Sequence, residues 1–252
     1  MTFPNYADKH DHEALFGPGD LVAYLQEHGR LGDGPVPEGV VFCYDGGLFG
    51  RILDSEPTNR VWRDLYSVDR TDGRVGVVGG FGIGAPAAAA RLEELIALGA
   101  TRVLSIGTAG GLQPDLAIGD LVLCDRAVRD EGVSHHYLPP ERWAWPDSAL
   151  TDQLGAALRA GGHQPVVGGA WTIDTPYRET PAEIAHYRDD GVLCVEMEAA
   201  ALFSVARYRG VALATAFTIS DSLAEGWEPA LLHDETHAGL DILWSTALEL
   251  LS

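Results

Sequence analysis

Apolar and polar residues alternate in blocks along the chain, so that short apolar runs are followed by longer segments of helical composition. The apolar runs are rich in β-branched residues and predict buried strands at 40–44, 74–78, 102–106, 120–124, 166–172, 192–195 and 211–220. The longer segments predict helices at 20–28, 85–98, 148–160, 181–188, 199–208 and 233–251. This alternation predicts an α/β fold whose sheet is covered by helices on both faces.

The chain of 252 residues is long enough for one domain with a large core. Residues 1–39 are mixed and loop-rich, so we predict an N-terminal extension packed on the core and a single domain over 40–252. No apolar run has the roughly eighteen residues of a membrane span, and the first residues lack the features of a signal peptide. The cysteines stand far apart in apolar runs, which indicates reduced core residues. We therefore expect a cytoplasmic protein.

Acidic residues exceed basic ones by 37 to 17, which gives a net charge of −20. Such a surface repels the phosphates of nucleic acids and of anionic membranes, so we expect neither as a partner. A small anionic substrate is repelled by the same field. To bind, it needs arginines or backbone N–H groups close to it.

One strand–helix junction carries two acidic residues in an otherwise apolar stretch, Val195-Glu196-Met197-Glu198-Ala199. If the extended backbone continues through it, Glu196 and Glu198 leave one face and Met197 leaves the other. A buried carboxylate must be paired or hydrogen-bonded, and the two hydroxyls of a ribose can supply such bonds. The junction therefore predicts a sugar site. In the alternative interpretation, one Glu caps the helix and the other is solvated.

A glycine-rich loop, Gly79-Gly80-Phe81-Gly82-Ile83-Gly84, joins a predicted strand to a predicted helix. Glycines let the backbone approach a ligand, and a helix N-terminus favours anions. The stretch 82–87 fits the dinucleotide pattern G-x-G-x-x-A, but it does not follow the first strand, and no acidic residue ends the next strand. We therefore predict an anion or sugar loop rather than an NAD site, with a tight turn as the alternative.

Two further strands end in residues that can bind a ligand. In Ser105-Ile106-Gly107-Thr108-Ala109-Gly110-Gly111, small residues expose N–H groups and Thr108 adds a hydroxyl, although a tightly packed strand exit is the alternative. In Thr218-Ile219-Ser220-Asp221, the final carboxyl can act as a general acid or cap the next segment. His233 and His237 share a helix face without an evident third ligand, so we predict no metal site.

Together these blocks, in this order from about Val40 to the last helix, resemble the nucleoside phosphorylase-I family. This family includes purine nucleoside phosphorylases, uridine phosphorylases and related nucleoside hydrolases. The resemblance implies a single α/β domain with a twisted, mixed and partly barrel-like central sheet flanked by helices. It also implies a homo-oligomer, a dimer or a hexamer, in which His10 and His12 could complete a neighbour's site. No cofactor is implied, but phosphorylases use inorganic phosphate as a co-substrate.

The resemblance assigns roles to individual residues. Glu198 corresponds to the carboxylate that binds the ribose hydroxyls, and Met197 to the residue that packs on the sugar. Asp221 corresponds to the acid that hydrogen-bonds N7 in purine-specific members and helps the base to leave. Uridine phosphorylases use a Gln and Arg pair that the stretch 175–180 lacks, so a purine nucleoside is the expected substrate. The remaining expected substrate contacts are Glu196, Ser220, Phe81 and Trp171.

Phosphate binding departs from the family pattern. Phosphorylases have an arginine at the position of Ser105 and another shortly after the first strand, where Arg51 is displaced. A third arginine comes from a neighbouring subunit, and Arg60 or Arg63 could match it. Losing an arginine removes a bidentate, charge-assisted contact to phosphate. The groups then expected to hold phosphate are Gly82, Thr108, Arg51 and Arg63.

Two alternatives follow from the serine at position 105. Hydrolase members of the family also lack an arginine there and need a carboxylate to activate water, for which Asp45 is a candidate. In a non-catalytic relative, the ribose site alone would survive. We expect cleavage of the N-glycosidic bond by phosphorolysis, giving the base and ribose 1-phosphate, with a hydrolytic nucleosidase and a nucleoside-binding relative as the alternatives.

Overall fold

Strands and helices alternate through most of the chain. The computed structural model describes residue 6 and residues 9–31 and 36–252. The helices are α1 (Pro18–Glu27), α2 (Gly46–Ser55), α3 (Ala85–Leu98), α4 (Ser134–Tyr137), α5 (Ser148–Ala160), α6 (Pro181–Asp189), α7 (Ala199–Arg209) and α8 (Asp234–Leu251). The strands are β1 (Gly39–Cys43), β2 (Thr58–Trp62), β3 (Leu65–Val68), β4 (Val75–Gly79), β5 (Arg102–Gly111), β6 (Leu121–Asp130), β7 (Trp143–Ala144), β8 (Val166–Ile173), β9 (Cys194–Glu196), β10 (Ala212–Ser222) and β11 (Glu228–Pro229).

The strands form one mixed sheet in the order β11-β10-β6-β8-β9-β5-β1-β4-β3-β2, with β7 paired to β6. A further pairing of β10 with β5 closes β10, β6, β8, β9 and β5 into a ring, from which the other strands extend as an open sheet. The neighbouring strands β4, β1, β5 and β10 are parallel, so their carboxyl ends meet at one edge. This partial barrel confirms the predicted fold class.

Helices cover both faces of the open sheet, as the alternation predicted. Val40 and Phe42 of β1 belong to an apolar cluster with residues of α3 and α7. Val41 and Cys43, which point the other way, belong to a second cluster with residues of α2, α5 and α8. Helix α7 is buried on every side from Ala199 to Ala206, which explains its small and apolar composition.

Several strands are longer than the sequence predicted. The strand predicted at 102–106 continues to Gly111, and the one predicted at 120–124 continues to Asp130. Small residues make the first extension possible, because a Cβ on Gly110 would lie only 2.4 Å from Cδ1 of Leu223. The predicted loop 107–111 is therefore a tightly packed strand.

Helix α2 and the β2–β3 hairpin were not predicted. Helix α2 contains three glycines, which lower helix propensity. It forms nevertheless, because the carboxylate of Asp45 accepts a hydrogen bond from the N–H of Leu48 at 2.5 Å and caps its first turn. This capping contact gives Asp45 a structural role.

Part of the predicted N-terminal extension falls within the described residues. There, α1 packs against α3, and Nε2 of His10 lies 3.1 Å from the carbonyl oxygen of His135. The three cysteines are buried and unpaired by disulfides. Within the described ranges, no helix combines the length and apolar character needed to cross a membrane.

Candidate active site

The first turn of α7 is capped by a carboxylate from the preceding strand. Oε2 of Glu196 accepts hydrogen bonds from the N–H groups of Glu198 and Ala199, both at 2.7 Å. Its Oε1 accepts one from the hydroxyl of Thr172, which itself accepts one from the N–H of Ala200 at 3.0 Å. Three N–H groups at the start of the helix are thereby satisfied. Glu196 has the capping role that the sequence left open, rather than a free carboxylate for a sugar.

Glu198 ties this junction to the glycine-rich loop. Its Oε1 accepts a hydrogen bond from the N–H of Gly84 at 2.5 Å, at the start of α3. No cationic side chain pairs with this buried carboxyl among the residues the structure describes. Burial, and then the nearby charge of Glu196, raise the pKa of Glu198 from 4.5 to about 8. Ligand hydroxyls that donate hydrogen bonds here would stabilise its ionised form.

Met197 lies on the same side as Glu198, against the expectation from strand alternation. A Cβ on Gly84 would lie 3.7 Å from Cε of Met197, so both side chains reach this glycine. The reason is that β9 ends at Glu196 and the chain turns into α7, which interrupts the alternation. Met197 therefore lies beside Gly84 together with Glu198, where the sequence predicts the sugar site.

Asp221 stands where β10 shifts its register against β5, between Ile219 and Asp221. Its Oδ1 accepts a hydrogen bond from the hydroxyl of Ser220 at 2.8 Å, and its Oδ2 accepts one from the indole N–H of Trp227 at 3.1 Å. Ser220 is buried, so it holds Asp221 in place rather than facing a substrate. Trp227 is a contact that the sequence analysis did not find.

Strand pairing brings Asp221 close to the acidic junction. A Cβ on Gly110 of β5 would lie 3.2 Å from Oδ2 of Asp221 and 3.2 Å from Cγ1 of Val195. Val195 pairs with Gly110 and directly precedes Glu196. Asp221 of β10 and the residue that precedes Glu196 in β9 therefore meet around one glycine of β5.

The glycine-rich loop and β5 place three predicted residues at this edge. The ring of Phe81 is partly buried and packs edge-on against Phe42, with centroids 5.5 Å apart. Gly82 is exposed and has φ +100°, a conformation that favours glycine. Thr108 is partly exposed, and its hydroxyl makes no hydrogen bond to the described residues. These groups are open to a ligand.

A partly buried tyrosine lies among these groups, and the sequence analysis did not single it out. The hydroxyls of Tyr44 and Ser105 are 3.3 Å apart, and the Tyr44 ring packs edge-on against Phe81, with centroids 5.6 Å apart. Burial, and then the charge of Glu198, raise the pKa of Tyr44 well above its usual value, so this phenol stays neutral. Its place directly after an apolar strand was the signal that could have found it.

Trp171 does not fit the stacking role expected for it. Its side chain is fully buried, its indole N–H donates to Oδ2 of Asp130 at 3.0 Å, and its ring packs against Tyr187 with centroids 4.5 Å apart. Helix α6, which carries Tyr187, covers this position. Trp171 packs in the same apolar cluster as Val195 and Leu223, next to the site.

A cavity of about 850 Å³ opens beside Asp221. Glu179, which follows the short turn Pro176–Arg178, lines it together with Trp227 and Leu223. Burial, and then the charge of Asp221, raise the pKa of Glu179 from 4.5 to about 7. Glu179 was not among the predicted residues. As for metals, the described residues contain no cluster of three or more His, Cys, Asp or Glu side chains that could hold an ion.

Comparison with known proteins identifies the family. The model of the phosphorylase superfamily matches residues 40–251. The chain belongs to this superfamily. The resemblance inferred from the sequence motifs is thereby confirmed. The solved structure of uridine phosphorylase from Vibrio fischeri ES114 shares the fold, with a TM-score of 0.72, 24% identity and coverage of 88% of this chain and 93% of that chain.

Curated members of the superfamily also resemble the chain in sequence. A guanosine phosphorylase from Halorubrum lacusprofundi is 34% identical over 209 residues, which are 80% of this chain and 85% of that protein. A DeoD-type purine nucleoside phosphorylase from Caldanaerobacter subterraneus is 35% identical over 59% of this chain and 65% of its own length. A uridine phosphorylase from Haemophilus influenzae is 34% identical over 54% of this chain, and the match spans 59% of that relative.

In this superfamily member, the arginines expected to bind phosphate have partners within the chain. Arg51 donates to Asp241 at 2.7 Å, and Arg63 donates to Glu94 at 3.1 Å. Arg60 donates to the carbonyl oxygen of Arg63 within the β2–β3 hairpin. The structure therefore does not bring Arg51 or Arg63 into contact with Gly82 or Thr108.

Proposed function

We propose that this chain cleaves the N-glycosidic bond of a purine nucleoside by phosphorolysis and releases the base and ribose 1-phosphate. The observation that carries the proposal is the buried carboxyl of Glu198, which has a backbone donor and no cationic partner among the described residues. The vicinal hydroxyls of a ribose match this need, because both can donate to one carboxylate. The named relatives, guanosine, purine nucleoside and uridine phosphorylases, support the same reaction.

The sugar and the base of the proposed substrate each have a candidate binding residue. Glu198 binds the ribose diol, with Met197 and Phe81 packed on the sugar. As the glycosidic bond breaks, negative charge develops on the base, and Asp221 in its protonated form stabilises it by donating a hydrogen bond to N7. The sugar then carries positive charge near C1′, which the buried carboxylate of Glu198 also favours.

In this proposal, phosphate attacks C1′ from the face of the sugar opposite the departing base. The hydroxyl of Thr108 and the backbone of Gly82 are the predicted phosphate donors that have no carboxylate partner within the described chain. Arg51 or Arg63 can contribute only by leaving its present carboxylate partner. We propose a homo-oligomer, a dimer or a hexamer, in which the exposed hairpin that carries Arg60 and Arg63 reaches a neighbouring site.

Hydrolysis is the second candidate, and one observation favours it. Where a phosphorylase would have an arginine, this chain has the hydroxyl pair of Ser105 and Tyr44, 3.3 Å apart and close to Glu198. Two neutral hydroxyls suit a water molecule better than a phosphate dianion. No metal or organic cofactor takes part in either reaction as we propose it, and cytoplasmic localisation is part of the proposal.

An assay on a nucleoside panel, with and without phosphate, tests the proposal. The protein is incubated with purine and pyrimidine nucleosides, and both the base and the sugar product are identified. Phosphate-dependent release of a purine base with ribose 1-phosphate is the expected result. Free ribose, formed at the same rate without phosphate, would favour the hydrolase. No cleavage of any nucleoside would contradict both.

A further inference from the structure

A second cavity, of about 740 Å³, lies at the end of the sheet opposite the proposed active site. Thr101 and Val211, which line it, directly precede the parallel strands β5 and β10, whereas Asp221 lies near the far end of β10. Arg207 also lines the cavity from the last turn of α7, while Glu198 precedes the first turn of the same helix. Most of the length of α7, roughly 16 Å for its 11 residues, therefore separates the cavity from the proposed ribose site.

Three hydrogen-bond donors of this cavity have no acceptor among the residues that the structure describes. They are the guanidinium of Arg207, the indole N–H of Trp145 and the hydroxyl of Thr101. All three residues are exposed, so their donors are open to a ligand. Donors that share one cavity, one of them cationic, favour an anionic ligand.

The charges around Arg207 leave it available for such an anion. Arg209, two residues further along α7, donates to Glu93 from both Nε and Nη2, at 2.7 and 2.9 Å. Arg207 has no carboxylate partner within the described ranges. Asp147 also lines the cavity, but its Oδ1 accepts the N–H of Leu150 at 2.8 Å and caps α5. In a chain with a net charge of −20, which repels anions as a whole, an arginine without a carboxylate partner attracts them locally.

The indole of Trp145 gives the cavity a flat aromatic surface. Its side chain is 49% exposed and makes no ring contact within the described part of the chain. The backbone on either side of it is fixed, because β7 pairs with β6 before it and Pro146 follows it. The buried side chains of Phe203 and Leu213 add apolar surface to the lining. A planar ring can therefore stack on this indole and be buried by its neighbours.

We propose that this cavity binds a small molecule in which a planar aromatic ring carries a phosphate or a carboxylate group. The ring stacks on Trp145, and the guanidinium of Arg207 donates two parallel hydrogen bonds to the anionic group, with the hydroxyl of Thr101 as a further donor. A volume of about 740 Å³ is within the usual range for small-molecule sites. The inference does not depend on the proposed reaction, because the two sites lie at opposite ends of α7 and β10.

Isothermal titration calorimetry with 2-naphthyl phosphate tests the proposal. This probe has a flat ring and an anionic group, but it has neither a ribose nor a purine. 2-Naphthol has the ring without the charge, and 2-naphthoate has a carboxylate in place of the phosphate. The wild type is expected to bind 2-naphthol at least roughly tenfold more weakly than the tighter of the two anions, and that anion identifies the charged group of the ligand.

Four variants locate the binding. Arg207→Gln is expected to weaken binding of 2-naphthyl phosphate roughly 10- to 100-fold, as for a lost hydrogen bond between charged groups. Trp145→Leu is expected to weaken it roughly 3- to 10-fold, because leucine removes the aromatic face. Arg159→Gln removes the same charge from an exposed arginine in the last turn of α5, outside the cavity, and should bind like the wild type. Glu198→Gln should also bind like the wild type, because it alters only the proposed active site.

Equal affinities of Arg207→Gln and the wild type overturn the proposal. Binding that Glu198→Gln abolishes overturns it as well, because the probe would then occupy the active site, and so does a wild type that does not bind 2-naphthyl phosphate at millimolar concentration. Size-exclusion chromatography of the same variants checks the alternative occupant, a second copy of the chain. If Arg207→Gln separates subunits that Arg159→Gln leaves associated, the cavity is a subunit contact and the proposal is wrong.

Discussion

The N–H of Gly84 donates a hydrogen bond to Oε1 of Glu198 at 2.5 Å, across 114 residues of sequence. This bond joins the start of α3 to the start of α7 and fixes the carboxyl at the edge where β4, β1, β5 and β10 end. Gly84 has φ +93°, a backbone conformation in which any side chain would be strained. The glycine-rich loop therefore positions the carboxyl of Glu198, the group that we propose binds the ribose.

We expect substitution of Glu196 to lower mainly stability and substitution of Glu198 to lower mainly activity. Glu196→Ala removes the cap of α7, which should lower the free energy of unfolding by about 1–2 kcal/mol. Glu198→Ala removes a carboxyl with one backbone donor, so at pH 5, where the group is largely neutral in the folded protein, the free energy of unfolding should change by less than about 1 kcal/mol. Its kcat/KM for the nucleoside, however, should fall at least roughly 100-fold. Thermal unfolding and steady-state kinetics on both variants check this, and equal activity losses at equal stability would contradict the assigned roles.

The buried Glu198 also predicts a stability that depends on pH. The pKa of this carboxyl is raised from 4.5 to about 8 in the folded protein. Between these pH values the carboxyl is ionised in the unfolded chain but largely neutral in the folded protein, so the fold loses stability as the pH rises. Below pH 4.5 the group is neutral in both states and has no such effect. Glu198→Gln should therefore gain stability relative to the wild type as the pH rises from 5 to 8, by about 2–4 °C in Tm for each kcal/mol. A constant difference in Tm across this range would show that the carboxyl is not desolvated as described.

We expect replacement of Asp221 to lower turnover rather than substrate affinity. Asp221→Asn keeps the shape of the side chain but removes the proton that the departing base needs, so kcat should fall roughly 100- to 10,000-fold with little change in KM. Glu228→Gln, an exposed carboxylate on the strand paired with β10, is the matched control and should retain full activity. If Asp221→Asn turned over nucleosides like the wild type, Asp221 would not be the acid.

Gly110 predicts a defect caused by one methyl group. A Cβ there would lie 2.4 Å from Cδ1 of Leu223 and 3.2 Å from Oδ2 of Asp221, so Gly110→Ala must displace the buried side chain of Leu223 and crowd the carboxyl of Asp221. We expect it to lower the free energy of unfolding by about 1–3 kcal/mol and to reduce activity. Gly50→Ala, in α2 with open space at its Cβ, should be neutral or slightly stabilising. Comparing the unfolding midpoints of the two variants in urea checks the prediction.

The sequence predicted most of this arrangement where it depends on strand ends. Apolar runs that finish in Asp221 or Thr108 indicate polar groups at a sheet edge, because parallel strands bring their carboxyl ends together. The different roles of Glu196 and Glu198 could not be predicted in this way. They depend on where β9 stops, and hence on which carboxylate meets the first N–H groups of α7.

Other features depend on pairings that are distant in the sequence. Tyr44 meets Ser105 only because β1 lies beside β5, and Trp171 is buried only because Tyr187 on α6 packs over it. Glu179 follows a turn with no periodic pattern of its own, and its relation to Asp221 arises from the folded cavity. Local residue patterns contain none of these distances.

The central claim, phosphorolysis at the site of Glu198 and Asp221, is tested most directly by following phosphorus. Phosphorus-31 NMR of the wild-type protein with inorganic phosphate and guanosine measures the loss of inorganic phosphate and the gain of a sugar phosphate, while the free base is quantified in the same sample. The account predicts that ribose 1-phosphate and guanine appear in equal amounts, as inorganic phosphate decreases by the same amount. Release of guanine with no change in the phosphate signal would contradict it.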